Sequence, residues 1–372
     1  MLKTIFIFVT ILHGLIHFLG FAKAFNYGNI TQLTKEISKP MGVLWLITAF
    51  LFLFCMILYI FKKDNWVYFA FVAVIFSQIL IINSWQDAKF GTIINLLVLV
   101  VAIIGLFQMK FKSEYKKEVK IGLAESNNLP NKMLTEAEIA YLPKMVQKYI
   151  RYTGCMNKPI VNHFKVDFLG KIRSYEKKVW RPLVSEQYNF IKTPRRLFYL
   201  DATMNNLPVA GFHCFKNSTA FMDIRLLSIF KVQYAASKEM DISETVTFFN
   251  DMCCMAPATL IDKRIKWLGT EGNKVKASFS NNGITISAEL YFNEKGELIN
   301  FISEDRSVIA ENGTTQRRKW STPLRDYKDI NGYKLASYAE AVYAYPDGDF
   351  IYATFNLKNI RYNGLVENKL AL

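Results

Sequence analysis

His13 and His17 stand four residues apart, so on a helix their imidazoles share one face. They lie within an apolar run, where an ionisable side chain is costly and marks a metal, haem or proton site unless neighbours bond it. No other apolar run holds a His, and none holds a carboxylate, so an axial pair across helices is excluded. What remains is hydrogen bonding to Gln78 or Asn95 in the third and fourth runs. Glu244, Asp251, Asp305, Arg306 and Glu340 are the acid–base candidates, and they make a site only by converging in one cleft with perturbed pKa values. The simpler reading of Glu304-Asp305-Arg306 is an Asp305–Arg306 ion pair closing a sheet edge. Cys253 and Cys254 are adjacent, too constrained for an ordinary disulfide, and read as small core residues. His163 and His213 are isolated and read as structural. There is no phosphate loop, GxSxG, HExxH or metal spacing of Cys and His, so neither cofactor nor metal is expected.

A third set could hold an apolar ligand. Phe248, Phe249, Met252 and Met255 form a stripe on one helical run, with Trp267 and Trp320 on strands that follow. The run spans residues 241–256. Asp241 and Glu244 have capping-box spacing at its start, and Pro257 ends it. Around it, from Ile160, the alternation is period two, as in VNHFKVDFLGKIR and RRLFYLDATM. Turns are expected at Ser174-Tyr175, Asn205-Asn206, Asn282-Gly283 and Asn331-Gly332. Roughly ten antiparallel strands in sequential hairpins suit an α+β domain, a curved sheet forming a half-barrel or incomplete barrel with an inserted helix.

The first part of the chain is different. Residues 1–111 hold eight Lys, three acidic residues and no Arg, and all twelve Arg lie from Arg151 onward. Apolar runs near residues 2–21, 42–61, 66–84 and 91–109 are each long enough to span a bilayer as helix, giving a four-span bundle. Trp45, Trp66 and Trp85 fall near the ends of runs, where an interfacial belt would put them. Ala22-Lys23-Ala24 resembles a signal cleavage site, but the run before it is longer than a signal core and reads as a retained helix. With the N-terminus inside, eight Lys face the cytoplasm and four the other side. This expects a multi-pass protein of the bacterial inner membrane with a cytoplasmic soluble domain. The domains are then 1–111 in the membrane, a charged linker over 112–134, and 135–372 as the soluble domain with short helices at its start.

The net charge of +15 is spread among strands without a nucleic-acid motif, so no nucleic-acid partner is expected. Clusters such as Arg317-Arg318-Lys319 suit anionic headgroups, making membrane lipid the expected partner, with an apolar small molecule or a protein beside it. SETVTFFNDMCCMAPATLIDKRIKW, AELYFNEKGELINFISEDR and INGYKLASYAEAVYAYPDGDFIYATFNLKNIRYN, together with LPKMVQKYIRYTG, resemble a bacterial family defined as a domain of unknown function. The resemblance covers about Leu142 to Asn363 and implies domain limits without an activity. More loosely, a curved sheet closed by a helix resembles the lipoprotein-carrier half-barrels. The expected function is a membrane-anchored binding module holding a lipid or other apolar ligand between sheet and helix. The alternatives are an interaction or regulatory protein relaying partner binding to the bundle and, behind it, an enzyme on a membrane-associated substrate.

Overall fold

The computed structural model describes residues 2–126, 129, 132–174, 179–204, 207–309 and 314–364. It falls into two compact units, Met1–Phe111 and Lys112–Leu372. In the first, α1 (Leu2–Ile16) and α2 (Phe18–Ala24) run on as one helix, followed by α3 (Lys39–Ile60), α4 (Trp66–Asn83), the single turn α5 (Trp85–Ala88) and α6 (Gly91–Ser126). Among the described residues four helices are long and apolar enough to cross a membrane: Leu2–Ala24, Lys39–Ile60, Trp66–Asn83 and Gly91–Ser126. Their outward faces carry exposed Phe8, Phe50, Ile75, Ile82 and Ile93, while Ala49, Ala70, Ala73 and Ala102 are sealed where helices cross. Two tryptophans depart from the expected belt. Trp45 and Trp66 are buried within the bundle, because Gly20 and Gly105 leave room for their rings. A Cβ at Gly20 would sit 2.1 Å from the Trp45 ring.

The second unit begins within α6, from Lys112, where the sequence suggested a tether. Short helices α7 (Glu136–Ile139) and α8 (Lys144–Tyr152) precede the strands. Thr135 and Glu138 close a capping box on α7. The first half of the sheet is β1 (His163–Ile172), β2 (Arg181–Phe190), β3 (Arg195–Met204), β4 (Leu207–Lys216), β5 (Thr219–Leu226) and β6 (Phe230–Ala235). Then comes α9 (Lys238–Met255) with a 3-10 turn, Pro257–Ile261. The second half is β7 (Ile265–Glu271), β8 (Lys274–Asn281), β9 (Ile284–Phe292), β10 (Leu298–Ser303), β11 (Ser307–Ile309), β12 (Thr315–Arg317), β13 (Trp320–Ile330), β14 (Tyr333–Tyr345) and β15 (Gly348–Tyr362).

Thirteen of these strands form one antiparallel sheet, in the order β6-β5-β4-β3-β2-β1-β15-β14-β13-β10-β9-β8-β7; β11 and β12 pair separately. That is more than the ten expected. β5 and β6 are among the strands beyond those expected; β5 alternates, with Ala220, Met222 and Ile224 on one face and on the other Asp223 and Arg225. They neutralise each other at 2.7 Å. The Asn282-Gly283 and Asn331-Gly332 turns have positive φ at both residues, as tight hairpins require. The turns expected at Ser174-Tyr175 and Asn205-Asn206 lie at least partly outside the described residues.

Because β6 and β7 are opposite edges, α9 must cross the whole sheet to join them. It touches β4 and β5 on one side and β9 and β10 on the other. In a flat sheet β5 and β9 would stand about 43 Å apart, whereas a helix is only about 10 Å wide. The sheet therefore curls around α9. The two halves approach where Asn281 donates to Ser218 Oγ at 3.0 Å, although β6 and β7 do not pair and the barrel stays open. On the outer face, within the second unit, the C-terminal part of α6 packs Tyr115 against Tyr199 and Phe212, with ring centroids 5.4 and 5.6 Å apart.

Candidate functional site

α9 starts earlier than its sequence suggests. Ser237 is the N-cap, accepting from the Met240 N–H at 3.3 Å, so Asp241 lies inside the first turn. The Asp241 carboxylate instead accepts the Ala220 N–H of β5 at 2.6 Å, tying the helix to the sheet. At the other end Tyr149 OH donates to the Cys253 carbonyl at 2.8 Å, and Tyr362 OH donates to the Met255 carbonyl. These hydroxyls satisfy carbonyls that a helix terminus leaves open. Every residue from Ser243 to Met255 is buried.

Phe248, Phe249 and Met252 have no accessible surface, and Met255 almost none. Phe249 stacks on Phe279 at 5.3 Å and meets Phe301 edge-on at 5.7 Å, while Phe248 lies 5.9 Å from Phe215. Accessible surface includes the walls of any internal void that admits water, so zero surface means no such void at these side chains. In this structure the stripe is packed core. Trp267 is half-buried on β7, and Trp320 is buried on β13 with its Nε1 donating to Tyr352 OH at 3.1 Å.

The polar candidates separate. Glu244, Asp251 and Arg306 meet around a residue absent from the sequence reading, Arg196 of β3. Its Nε donates to Asp251 Oδ2 at 2.8 Å, one terminal nitrogen to Glu244 at 3.1 Å and the other to Gln187 at 2.9 Å. Gln187 and Asn189 of β2 add bonds of 2.7 and 3.0 Å to the same Asp251 oxygen. Arg306 lies 3.7 Å from Glu244, donates to Thr247, and reaches Tyr343 OH at 3.0 Å. Burial pushes the Glu244 carboxyl up, but Arg196 and Arg306 more than reverse this and hold it below its ordinary range. For Asp251 burial prevails over Arg196 and Asn189, and its pKa is raised. Both carboxylates are thus spent on holding α9 to the sheet.

Asp305 and Glu340 stand apart. Asp305 accepts the Ser287 N–H at 2.8 Å and lies 3.5 Å from Arg317, so the Asp305–Arg306 pair expected from sequence does not form; Arg306 turns inward to Glu244. Glu340 pairs with Arg325 and Tyr338, each at 3.0 Å. Cys253 and Cys254 are buried thiols whose pKa values burial pushes well up. His163 is buried, its Nε2 3.1 Å from the Gly364 carbonyl. Among the described residues no three His, Cys, Asp or Glu side chains gather as metal ligands would.

In the first unit His13 Nε2 lies 3.0 Å from Asn95 Oδ1 and 3.3 Å from Ser77 Oγ. His17 Nδ1 donates to the His13 carbonyl at 2.8 Å, which leaves its Nε2 to accept from Ser77 Oγ at 3.0 Å. Asn95 donates to Gln78 at 3.0 Å, and Gln78 to Thr92 at 3.2 Å. The four polar residues singled out from sequence form one chain, with Ser77 at its centre.

One region of the curled sheet is left open. On β1 and β5 the inward residues pass from sealed beneath α9 to half-buried away from it, while on β2 and β3 Ser185, Leu183, Phe198 and Leu200 stay buried. On β1 the change runs from Phe164 and Val166 to Phe168 and Ile172, and on β5 from Ala220 to Met222 and Ile224. On β4 His213 and on β15 Phe355 are half-buried, with Gly211 and Ala353 buried again beyond them. Phe168, Phe355, Phe198 and His213 form a continuous row, with successive ring centroids 5.4, 6.4 and 5.6 Å apart. α9 therefore fills one end of the half-barrel and leaves an apolar trough beyond it. The sequence hid Arg196 because RRLFYL is large at every position, so its parity was ambiguous. The alternating Ser185, Gln187 and Asn189 of β2 were the available signal of a polar inward face.

A family of unknown function, DUF6544, matches residues 132–355. The chain belongs to this family. No curated protein matches it. Several solved structures are similar to this DUF6544 member, three of them as follows. A domain described as an outer membrane lipoprotein-sorting protein, from Vibrio parahaemolyticus, is 10% identical, with 56% of this chain and 88% of that chain covered and a TM-score of 0.33. A DUF1329 family protein from Desulfovibrio piger is 11% identical, with 61% and 95% covered and a TM-score of 0.35. A LolA superfamily protein from Nitrosomonas europaea is 9% identical, with 61% and 96% covered and a TM-score of 0.30. Lipoprotein-carrier proteins are thus among the similar structures, as the sequence resemblance implied.

Proposed function

We propose that this DUF6544 protein is a membrane-anchored binding module that takes an apolar, lipid-sized ligand in the trough beyond α9. The observation that carries the reading is the gradient of burial along β1 and β5, where Phe168, Ile172, Met222 and Ile224 keep surface on the concave apolar face beside half-buried His213 and Phe355. The sequence-based version put the ligand between sheet and helix. The packed Phe248, Phe249 and Met252 favour the neighbouring trough instead, since entry under α9 requires breaking the Arg196 network.

The four long apolar helices suit an anchor over 1–111, with residues 112–134 leading to a binding domain over 135–372. The Lys distribution supports a cytoplasmic binding domain at the bacterial inner membrane. A reporter active only after export, fused behind Leu372, should stay silent; activity would reverse the orientation.

The ligand test uses the full chain purified in detergent, extracted with solvent and analysed by mass spectrometry beside an Ile224→Trp variant that fills the trough. An apolar species should accompany the wild type and be depleted in the variant. Identical extracts from both would refute the reading, because lipid bound around the helices is common to the two.

A further inference from the structure

We propose that the trough ligand is an acyl chain ending in an anionic oxygen group, a carboxylate or a phosphate ester, held by the guanidinium of Arg181 at the trough's open end. The inference rests on the trough reading above and adds the chemistry of the head.

Arg181 opens β2, and its register partner on β1 is Ile172, one of the trough residues. Residues directly opposite across a strand pair share a face, so Arg181 belongs to the concave one. Toward this end of the strands the same face runs out through half-buried Ala202 and Met204 on β3. Beyond them it reaches exposed Leu207 on β4 and Phe230 on β6. Half-buried Arg181 thus stands as a cation on an otherwise apolar rim. A chain lying along Phe168, Ile172, Met222 and Ile224 brings its end there.

The neighbouring arginines are spent and this one is not. Arg196 and Arg306 face Glu244 and Asp251 under α9, two cations against two anions, which leaves no carboxylate there for Arg181. Arg173, the residue after Ile172, donates through Nε to the Ile351 carbonyl at 2.7 Å. Its guanidinium lies 4.3 Å from the Trp180 ring centre and 4.7 Å from that of Phe350. Arg181 has no hydrogen bond, ion pair or ring contact among the described residues. A guanidinium cannot relieve partial burial by losing its proton, and arginines away from water are generally paired. Its planar fork of donors matches two oxygens of one carboxylate or phosphate, which is the partner this position lacks.

The test measures displacement of N-phenyl-1-naphthylamine, an uncharged fluorescent reporter, from the full chain in phosphatidylcholine nanodiscs at about pH 9, where a free carboxyl is ionised. Ile224→Trp discs supply the background. Three competitors share one acyl chain: oleate, 1-oleoyl lysophosphatidate and uncharged 1-oleoylglycerol. Their partition into the disc is common to every variant, so the readout is each anion's potency relative to 1-oleoylglycerol, compared between wild type and variant. Arg181→Gln should bind the reporter as the wild type does and lose roughly tenfold in that relative potency. Arg181→Lys, which keeps the charge without the fork, should lose less. A loss confined to oleate identifies a free acid and one confined to lysophosphatidate a phosphate-headed lipid; either outcome, or both together, supports the proposal. Relative potencies within about twofold of the wild type for both anions overturn it. If Arg181→Gln fails to bind the reporter, Arg181→Met is scored by the same criterion. Reporter binding no stronger in the wild type than in Ile224→Trp defeats the trough reading itself, and the head-group inference with it.

Discussion

Replacing Arg196 by Met tests whether the buried network fastens α9. Met fills much of the same volume and removes three bonds, those to Asp251 at 2.8 Å, Glu244 at 3.1 Å and Gln187 at 2.9 Å. Glu244 keeps Arg306 at 3.7 Å and the Thr247 hydroxyl at 3.5 Å, and Asp251 keeps Gln187 and Asn189 but no counter-charge. Stripping one partner from a buried ion pair costs about 3–5 kcal/mol. Arg196→Met should lose that much in urea unfolding of the full chain, followed by tryptophan emission. Adding Asp251→Asn removes the stranded charge while keeping an acceptor, and should return about 2 kcal/mol of it. The pH dependence has a definite sign. Burial already raises the Asp251 pKa, and without Arg196 it rises further, above its unfolded value. The penalty is therefore present at high pH and fades as pH falls through the raised folded pKa, so variant and wild type should converge toward acid pH. A loss below 1 kcal/mol, or one that does not change with pH, would refute the fastening role.

Three further outcomes follow from named contacts. Phe249→Ala should destabilise the protein by about 3–5 kcal/mol in the same urea assay, since the ring is sealed between Phe279 and Phe301. His213 is pushed down to about 4, first by burial and then by Arg196 and Arg306 against Glu244. Its unfolded pKa is near 6.5, so the stability it contributes is present above about 6.5 and lost as pH falls toward 4; thermal melts of His213→Leu should lack that part of the slope. In the bundle, Asn95→Leu leaves His13 Nε2 with only the 3.3 Å contact to Ser77, and should cost about 1 kcal/mol in a detergent-unfolding titration.

Much of the fold was legible because its signals are local. Four long apolar runs, Asn-Gly hairpins and a helix stopped by Pro257 need no knowledge of partners. The half-barrel was legible from its regular alternation, except at β5 and β6; β5 alternates as well, with Ala220, Met222 and Ile224 inward and Asp223 and Arg225 paired on the outer face. The start of α9 was misread because Asp241 has the chemistry of a cap, yet its acceptor capacity is used by Ala220 of a neighbouring strand. The network was half legible. Glu244, Asp251 and Arg306 stand out by charge, but Arg196 draws them together from 48 or more residues away in sequence, through strand pairings that no local pattern encodes. The trough was not legible at all. It exists because α9 is shorter than the sheet is deep, and a difference in extent between two elements leaves no residue signature.

The strand order also governs what a shortened polypeptide can do. β15, last of the described strands in chain order, lies not at an edge but in the middle of the sheet, paired with β1, and Gly348 to Tyr362 closes the seam between the two halves. Until it arrives, each half is a meander with a second open edge and α9 lacks a continuous bed. A premature stop before Gly348 therefore does not trim a margin; it divides the sheet in two and exposes β1 and β14 as sticky strands. Chains arrested there should be aggregation-prone substrates for quality control rather than weakened versions of the whole.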